Sequence, residues 1–237
     1  MAEALHIQQI VSRARALGAD SAAPLPARAV VVDERVNLKC RVPLCAHYGV
    51  NLMCPPNTPT ADETRGALAR YTDTLVVQQD IPLTQAAVDD VLAGLGIAET
   101  MAEPQAGAAQ RADAAAQGAA VTAGGNGGME QRAQADRAAY EASLHASQNE
   151  FAGLMSALEE EAYKMGYRFA AAYAGGDCVL CDVCAGATGE PCRHPFAARP
   201  SMEAVGIDVV ATAEAAGLSV ELPAAEHPRW TGLLLID

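Results

Sequence analysis

Tyr167–Pro195 reads YRFAAAYAGGDCVLCDVCAGATGEPCRHP, a strand-like run that feeds a loop dense in cysteine. The apolar run from Tyr167 to Ala174 predicts a strand, and Gly175 marks where it ends. Cys178, Cys181, Cys184 and Cys192 follow within fifteen residues. Three thiolates at successive CxxC spacing wrap a short loop around three corners of a cubane; the fourth corner is met from further along or from elsewhere in the fold. Gly175, Gly176, Gly186 and Gly189 leave room for backbone amides to approach cluster sulfurs. The competing centre is zinc, which usually takes two separated CxxC or CxxH pairs rather than three ligands crowded on one loop.

A second group lies upstream, in Leu38–Thr60, LKCRVPLCAHYGVNLMCPPNTPT, where Cys40, Cys45 and Cys54 fall within another fifteen residues. The seven cysteines thus divide as three plus four, and two wirings are open. In one, the late four close a cluster and the early three hold a second, whose last iron is free or bound by a non-cysteine ligand. In the other, ligands are exchanged between the loops, as in two-cluster ferredoxins, with Cys54, followed by Pro55 and Pro56, completing the late site. The plain alternative for the early group is a set of reduced, buried, inert thiols. His47 is placed to supply a missing ligand or a hydrogen bond. Arg41, Arg193 and His194 flank the cysteines and bring positive charge to an anionic cofactor, or simple charge compensation. Tyr48 reads as packing with a hydroxyl to spare.

The CxxxxC element ending in CPP, and the later CxxCxxC followed by CRHPFAARPSMEAVGIDV, resemble a family of predicted metal-binding proteins known as domain of unknown function 2284. The resemblance covers about residues 25 to 100 and 150 to 237. It implies metal ligation by Cys40, Cys45, Cys54, Cys178, Cys181, Cys184 and Cys192, and it implies no particular reaction.

A chain of 237 residues with 51% hydrophobic content can build a real core, and with only 4% aromatic residues that core is mostly Ala, Val and Leu. Neither a signal-like start nor an apolar run of membrane-spanning length is present, so the sequence predicts a cytoplasmic, soluble protein in a reducing compartment. A formal net charge of -13 disfavours nucleic acid and suits docking to a basic redox partner, or solubility alone.

Along the chain, helical spacing predicts a helix over Ile7–Leu17 stopped by Gly18, and Ala29–Val32 reads as a strand leading to the first cysteine loop. Thr60 and Glu63 form a capping-box pattern that opens a helix through Arg70. Thr74–Gln78 reads as a strand and Thr84–Leu95 as a helix. Residues 101–128, rich in Ala, Gly and Gln, read as a flexible insertion. Tyr140, Leu144, Phe151, Leu154, Met155, Leu158, Ala162 and Met165 mark one face of a long helix stopped by Gly166. Asp208 caps a helix to Ala216, and Ser219–Leu222 with Gly232–Ile236 reads as a closing hairpin. The expected architecture is α/β: a small mixed sheet with flanking helices, two cysteine-rich loops at the sheet edge, and one long helix after the insertion. Its parts are residues 1–100 with the first cysteine loop, the insertion, and 129–237 with the ferredoxin-like loop and hairpin, the outer two forming one domain.

Walker, GxGxxG, GxSxG and HExxH motifs are missing, and the cysteine spacings of four and eight, then two, two and seven, are not the CxxxCxxC of radical S-adenosylmethionine enzymes. No catalytic residue can be named. Three functions compete: an iron-sulfur protein with one or two 4Fe-4S clusters that transfers electrons to a redox partner, an enzyme or maturation factor using an open iron at the three-cysteine site, and a structural zinc-binding protein.

Overall fold

The computed structural model describes residues 2–82, 127–220 and 228–237. The chain divides into two compact units, Met1–Pro82 with His145–Asp237, and Leu83–Leu144. Of the second unit only the first part of one helix is described. The helix expected over Thr84–Leu95 and nearly all of the expected insertion lie outside the described residues.

The first unit is an α/β fold around a four-stranded sheet in the order β1-β2-β4-β3: β1 is Ser21–Pro26, β2 Asp73–Asp80, β3 Ala171–Tyr173 and β4 Arg229–Ile236. Every pairing is antiparallel. The α-helices among the described residues are α1 Ala2–Ala16, α2 Arg35–Arg41, α3 Ala61–Leu68, α4 Gly127–Lys164, which enters this unit at His145, and α5 Val209–Ala215.

The central strands β2 and β4 read as continuous apolar runs because both faces of the sheet are covered. Successive side chains alternate between faces, so Leu75, Val77, Leu234 and Ile236 pack with Ile10, Val11 and Ala14 of α1 and with Phe151, Met155, Leu158 and Ala162 of α4. Val76, Leu233 and Leu235 point the other way, onto Met202, Val205, Ile207 and Ala213. Each such side chain removed from water contributes about 1.5–3 kcal/mol. Gly232 allows the α4 side of this packing: a Cβ there would lie 2.7 Å from the Tyr173 carbonyl oxygen and 3.0 Å from Phe151.

Helix ends follow local chemistry. Thr60 and Glu63 form the reciprocal capping box on α3, Asp208 caps α5 by accepting from the Ala211 N–H at 3.0 Å, and α4 gives way at Gly166.

One expected strand, Ala29–Val32, differs. Ala29 ends a 3-10 turn over Ala27–Ala29 and Val32 makes a single bridge to Ile207, because the Val31 backbone is taken by Thr212 Oγ1 and the Asp208 N–H. The true strand, β1, lies earlier, and the first cysteine loop consequently follows helix α2 rather than a strand. Of the expected closing hairpin, Gly232–Ile236 lies in β4, which pairs with β2 on one side and, over Leu233–Leu235, with β3 on the other, while Glu221 and Leu222 lie outside the described residues.

Candidate metal centre

Both cysteine loops stand on the same short piece of chain, residues 201–207. The late loop leaves β3 at Ala174, whose N–H donates to Pro200 and whose carbonyl accepts from Met202, with an Ala174–Ser201 bridge closing its base. The early loop is fastened to this segment at both ends. The Asp33 N–H donates to Gly206, Asn37 Nδ2 to the Glu203 carbonyl at 3.0 Å, and Thr58 Oγ1 to the Ala204 carbonyl at 2.7 Å.

Within the early loop Cys40 sits in the last turn of α2, and the Cys45 N–H reaches back to its carbonyl at 3.0 Å. Cys54 closes the loop through its N–H to Asn51 and its carbonyl to the N–H of Asn57. The three thiols are neighbours. Burial pushes the Cys54 thiol up to about 12, reinforced by the charges of Asp177, Cys45, Cys40 and Cys178. Burial likewise raises Cys40, with Cys45 and Glu203 adding to it and the Arg41 guanidinium opposing.

In the late loop Cys178, Cys181, Cys184 and Cys192 line one small concavity of about 20 Å³, together with Arg193, His194, Asn51, Leu52 and Met53. Cys184 opens a 3-10 turn over Ala185–Thr188. The Cys192 sulfur accepts from the His194 N–H at 3.4 Å. Burial raises the Cys178 thiol, an effect that the Leu180 N–H opposes and the other three late thiols augment. Cys54 does not line this cavity.

The loops meet face to face. The Leu52 N–H donates to Cys184 Sγ at 3.4 Å and Asn51 Nδ2 to the Cys178 carbonyl at 3.1 Å. His47 Nδ1 faces Asp177 Oδ2 at 3.6 Å, and the Asp177 carbonyl also accepts from Gln148 of α4. Of the flanking cations, Arg193 braces its own loop through the Val183 carbonyl at 3.0 Å and Glu190 at 3.6 Å. Arg193 and His194 face the late cavity, whereas Arg41 lines a separate groove beside α3 with Asn37, Pro55 and Thr58. Of the glycines expected to admit amides, Gly175 and Gly176 lie against Trp230 and Gln148, Gly186 lies against Val50 and Leu52, and Gly189 has open space around it.

A family profile described as predicted metal-binding protein, domain of unknown function 2284, matches residues 23–236. The chain belongs to that family. No curated protein and no solved structure matches it. Metal binding is the property the family description supplies, and the donor set fits it, with seven free thiols divided between two facing loops. Among the described residues, however, no three Cys, His, Asp or Glu side chains converge as one ion would require. A tetrahedral zinc with sulfurs at 2.3 Å draws its thiolates to within about 3.8 Å of one another. No described helix is long and apolar enough to cross a membrane.

Asn51 and Asp177 escaped the sequence reading. A buried asparagine that ties two loops leaves no periodic or spacing signal; its only hint is its place three residues before Cys54.

Proposed function

We propose that the chain carries two separate thiolate-ligated centres, the late one a 4Fe-4S cluster held by Cys178, Cys181, Cys184 and Cys192, and that it passes single electrons to a partner protein. One observation carries this reading: all four late cysteines line a single concavity, three of them at successive CxxC spacing. That spacing suits a multi-atom cofactor, whose thiolates bind different irons, better than a lone zinc ion. Such a cluster supplies one-electron chemistry. The chain's own part is to hold the ligands on a loop closed at its base, to aim the Leu52 and His194 amides at thiolate sulfur, and to place Arg193 and His194 at the rim. A partner with a basic surface fits the net charge of -13, and a reducing cytoplasm fits seven free thiols.

A second reading rests on the early loop. Cys40, Cys45 and Cys54 are the three cysteines of this loop, and His47 faces Asp177. A cluster there would leave one iron open to a small ligand, which is the setting for an enzyme or maturation factor.

Anaerobic purification with iron, zinc and acid-labile sulfide analysis, followed by EPR of the reduced protein, tests both. About four irons per chain are expected for one cubane and about eight for two. Zinc without sulfide overturns the redox reading and leaves a structural zinc protein. Cys54→Ser is expected to leave the late signal in place, whereas its loss would establish exchanged ligation.

A further inference from the structure

Among the described contacts between the two loops, Asn51 makes the one side-chain hydrogen bond from the early loop to the late loop's backbone. Asn51 is 3% exposed. Its Nδ2 donates to the Cys178 carbonyl at 3.1 Å and its Oδ1 accepts from the Met53 N–H at 2.9 Å. Its N–H donates to His47, and its carbonyl accepts from the Cys54 N–H and from Asn57 Nδ2. The next N–H, that of Leu52, is the one aimed at Cys184 Sγ. One turn, ending on a cysteine of the early site, therefore fixes two ligand positions of the late site.

We infer that Asn51 is a positioning residue that makes the early loop part of the outer coordination shell of the late cysteine centre. The side chain must donate to one loop and accept from its own, on a short stem, and asparagine carries the donor and the acceptor on separate atoms that can face opposite ways. Without its NH₂ group the Cys178 carbonyl loses its donor, the turn loosens, and the Leu52 amide no longer bears on Cys184. Outer-shell partners of this kind typically carry about 10–100-fold of a site's metal affinity. A thiolate that accepts an amide hydrogen bond gives less charge to its metal, so losing the bond also moves a cluster's potential downward.

The inference rests on the late cysteines binding metal, whichever metal that is, and its test does not need iron. The full chain with Cys40, Cys45 and Cys54 changed to Ser, made metal-free and reduced, is titrated with Co²⁺, whose thiolate absorption then reports the late four alone. Asn51→Ala and Asn51→Asp are each expected to weaken Co²⁺ about 10–100-fold and to shift the thiolate band. Thr58→Ala, a loosening of the same loop without a bond to the late one, is expected to do neither. The unaltered chain provides a second readout: hydrogen exchange across residues 50–53 should slow on Co²⁺ loading, and fail to slow in Asn51→Asp. A Co²⁺ band unchanged in both Asn51 variants, with exchange unaffected by loading, overturns the inference alone. Absence of any thiolate band in the unaltered chain, together with no iron, zinc or acid-labile sulfide in the protein as purified anaerobically, overturns the metal reading with it.

Discussion

The backbone of Gly186 lies so close to the carbonyl oxygen of Val50 that a Cβ on the glycine would overlap it, and would crowd Leu52 Cγ at 3.0 Å. Neither neighbour is the free end of a flexible side chain. Gly186→Ala should therefore push the two cysteine loops apart, at a cost of about 1–3 kcal/mol by the measure of overpacked sites. Urea denaturation of the metal-free protein reads the loss in stability, and metal content after purification should fall in parallel. Unchanged stability and metal content would mean that the loops do not pack this closely.

Arg199 and Glu159 form a bidentate pair at 3.0 and 2.6 Å, with both side chains mostly buried. The same carboxylate accepts the Ala172 N–H of β3 at 2.6 Å, satisfying a donor on the sheet's edge strand. Removing one member leaves the other charged and desolvated. Glu159→Ala is expected to destabilise the fold by about 3–5 kcal/mol, and Arg199→Lys by less, since it keeps the charge and loses the fork. Denaturant midpoints at constant slope would check the ordering.

Alkaline pH should unfold the metal-free chain more readily than the loaded one. A thiol whose folded value is raised above its unfolded value binds more protons when folded. Its contribution is therefore complete below the unfolded value and is lost as pH climbs through the folded one. For Cys54 that window runs from the ordinary 9.0 up to about 12. Cys40 and Cys178, raised in the same direction, act with it. Thermal melts of the metal-free protein should fall across this range, and a melting temperature independent of pH there would contradict the buried placement of these thiols.

The same protonation fixes the pH dependence of loading. Because ligation needs thiolates and these three thiols hold their protons through neutrality, uptake must release protons and apparent affinity must rise with pH. Calorimetric titration with Zn²⁺ at pH 7 in two buffers of different ionisation enthalpy should give different observed heats, and equal heats would exclude coupled release.

Much of the fold was legible where a local rule decided it. The capping box at Thr60 and Glu63, the cap at Asp208 and the apolar stripe from Phe151 to Ala162 each satisfy backbone or core within a few residues of themselves. The strand β1, SAAPLP, was not legible, because its two prolines and small residues carry no strand preference. It survives as an edge strand, where Pro24 and Pro26 need not donate to a further neighbour. The place of β4 was equally hidden: GLLLI is as apolar in a hairpin as in a sheet centre, and only long-range pairing with β2 and β3 decides. At the candidate site, the cysteines stand out by their spacing alone. Nothing local disclosed that Asn51 and Leu52 would reach across to Cys178 and Cys184, because the sequence separations are 127 and 132 residues.

Residues 201–207 brace both cysteine loops, and they and strand β4 follow all seven cysteines in the sequence. A nascent chain folds from its N-terminus forward, so every thiol is polymerised before the scaffold that groups it. Assembly of the centre accordingly waits for residues 201–207 and β4. A truncation that removes β4 alone should then yield a protein with every ligand present and no site.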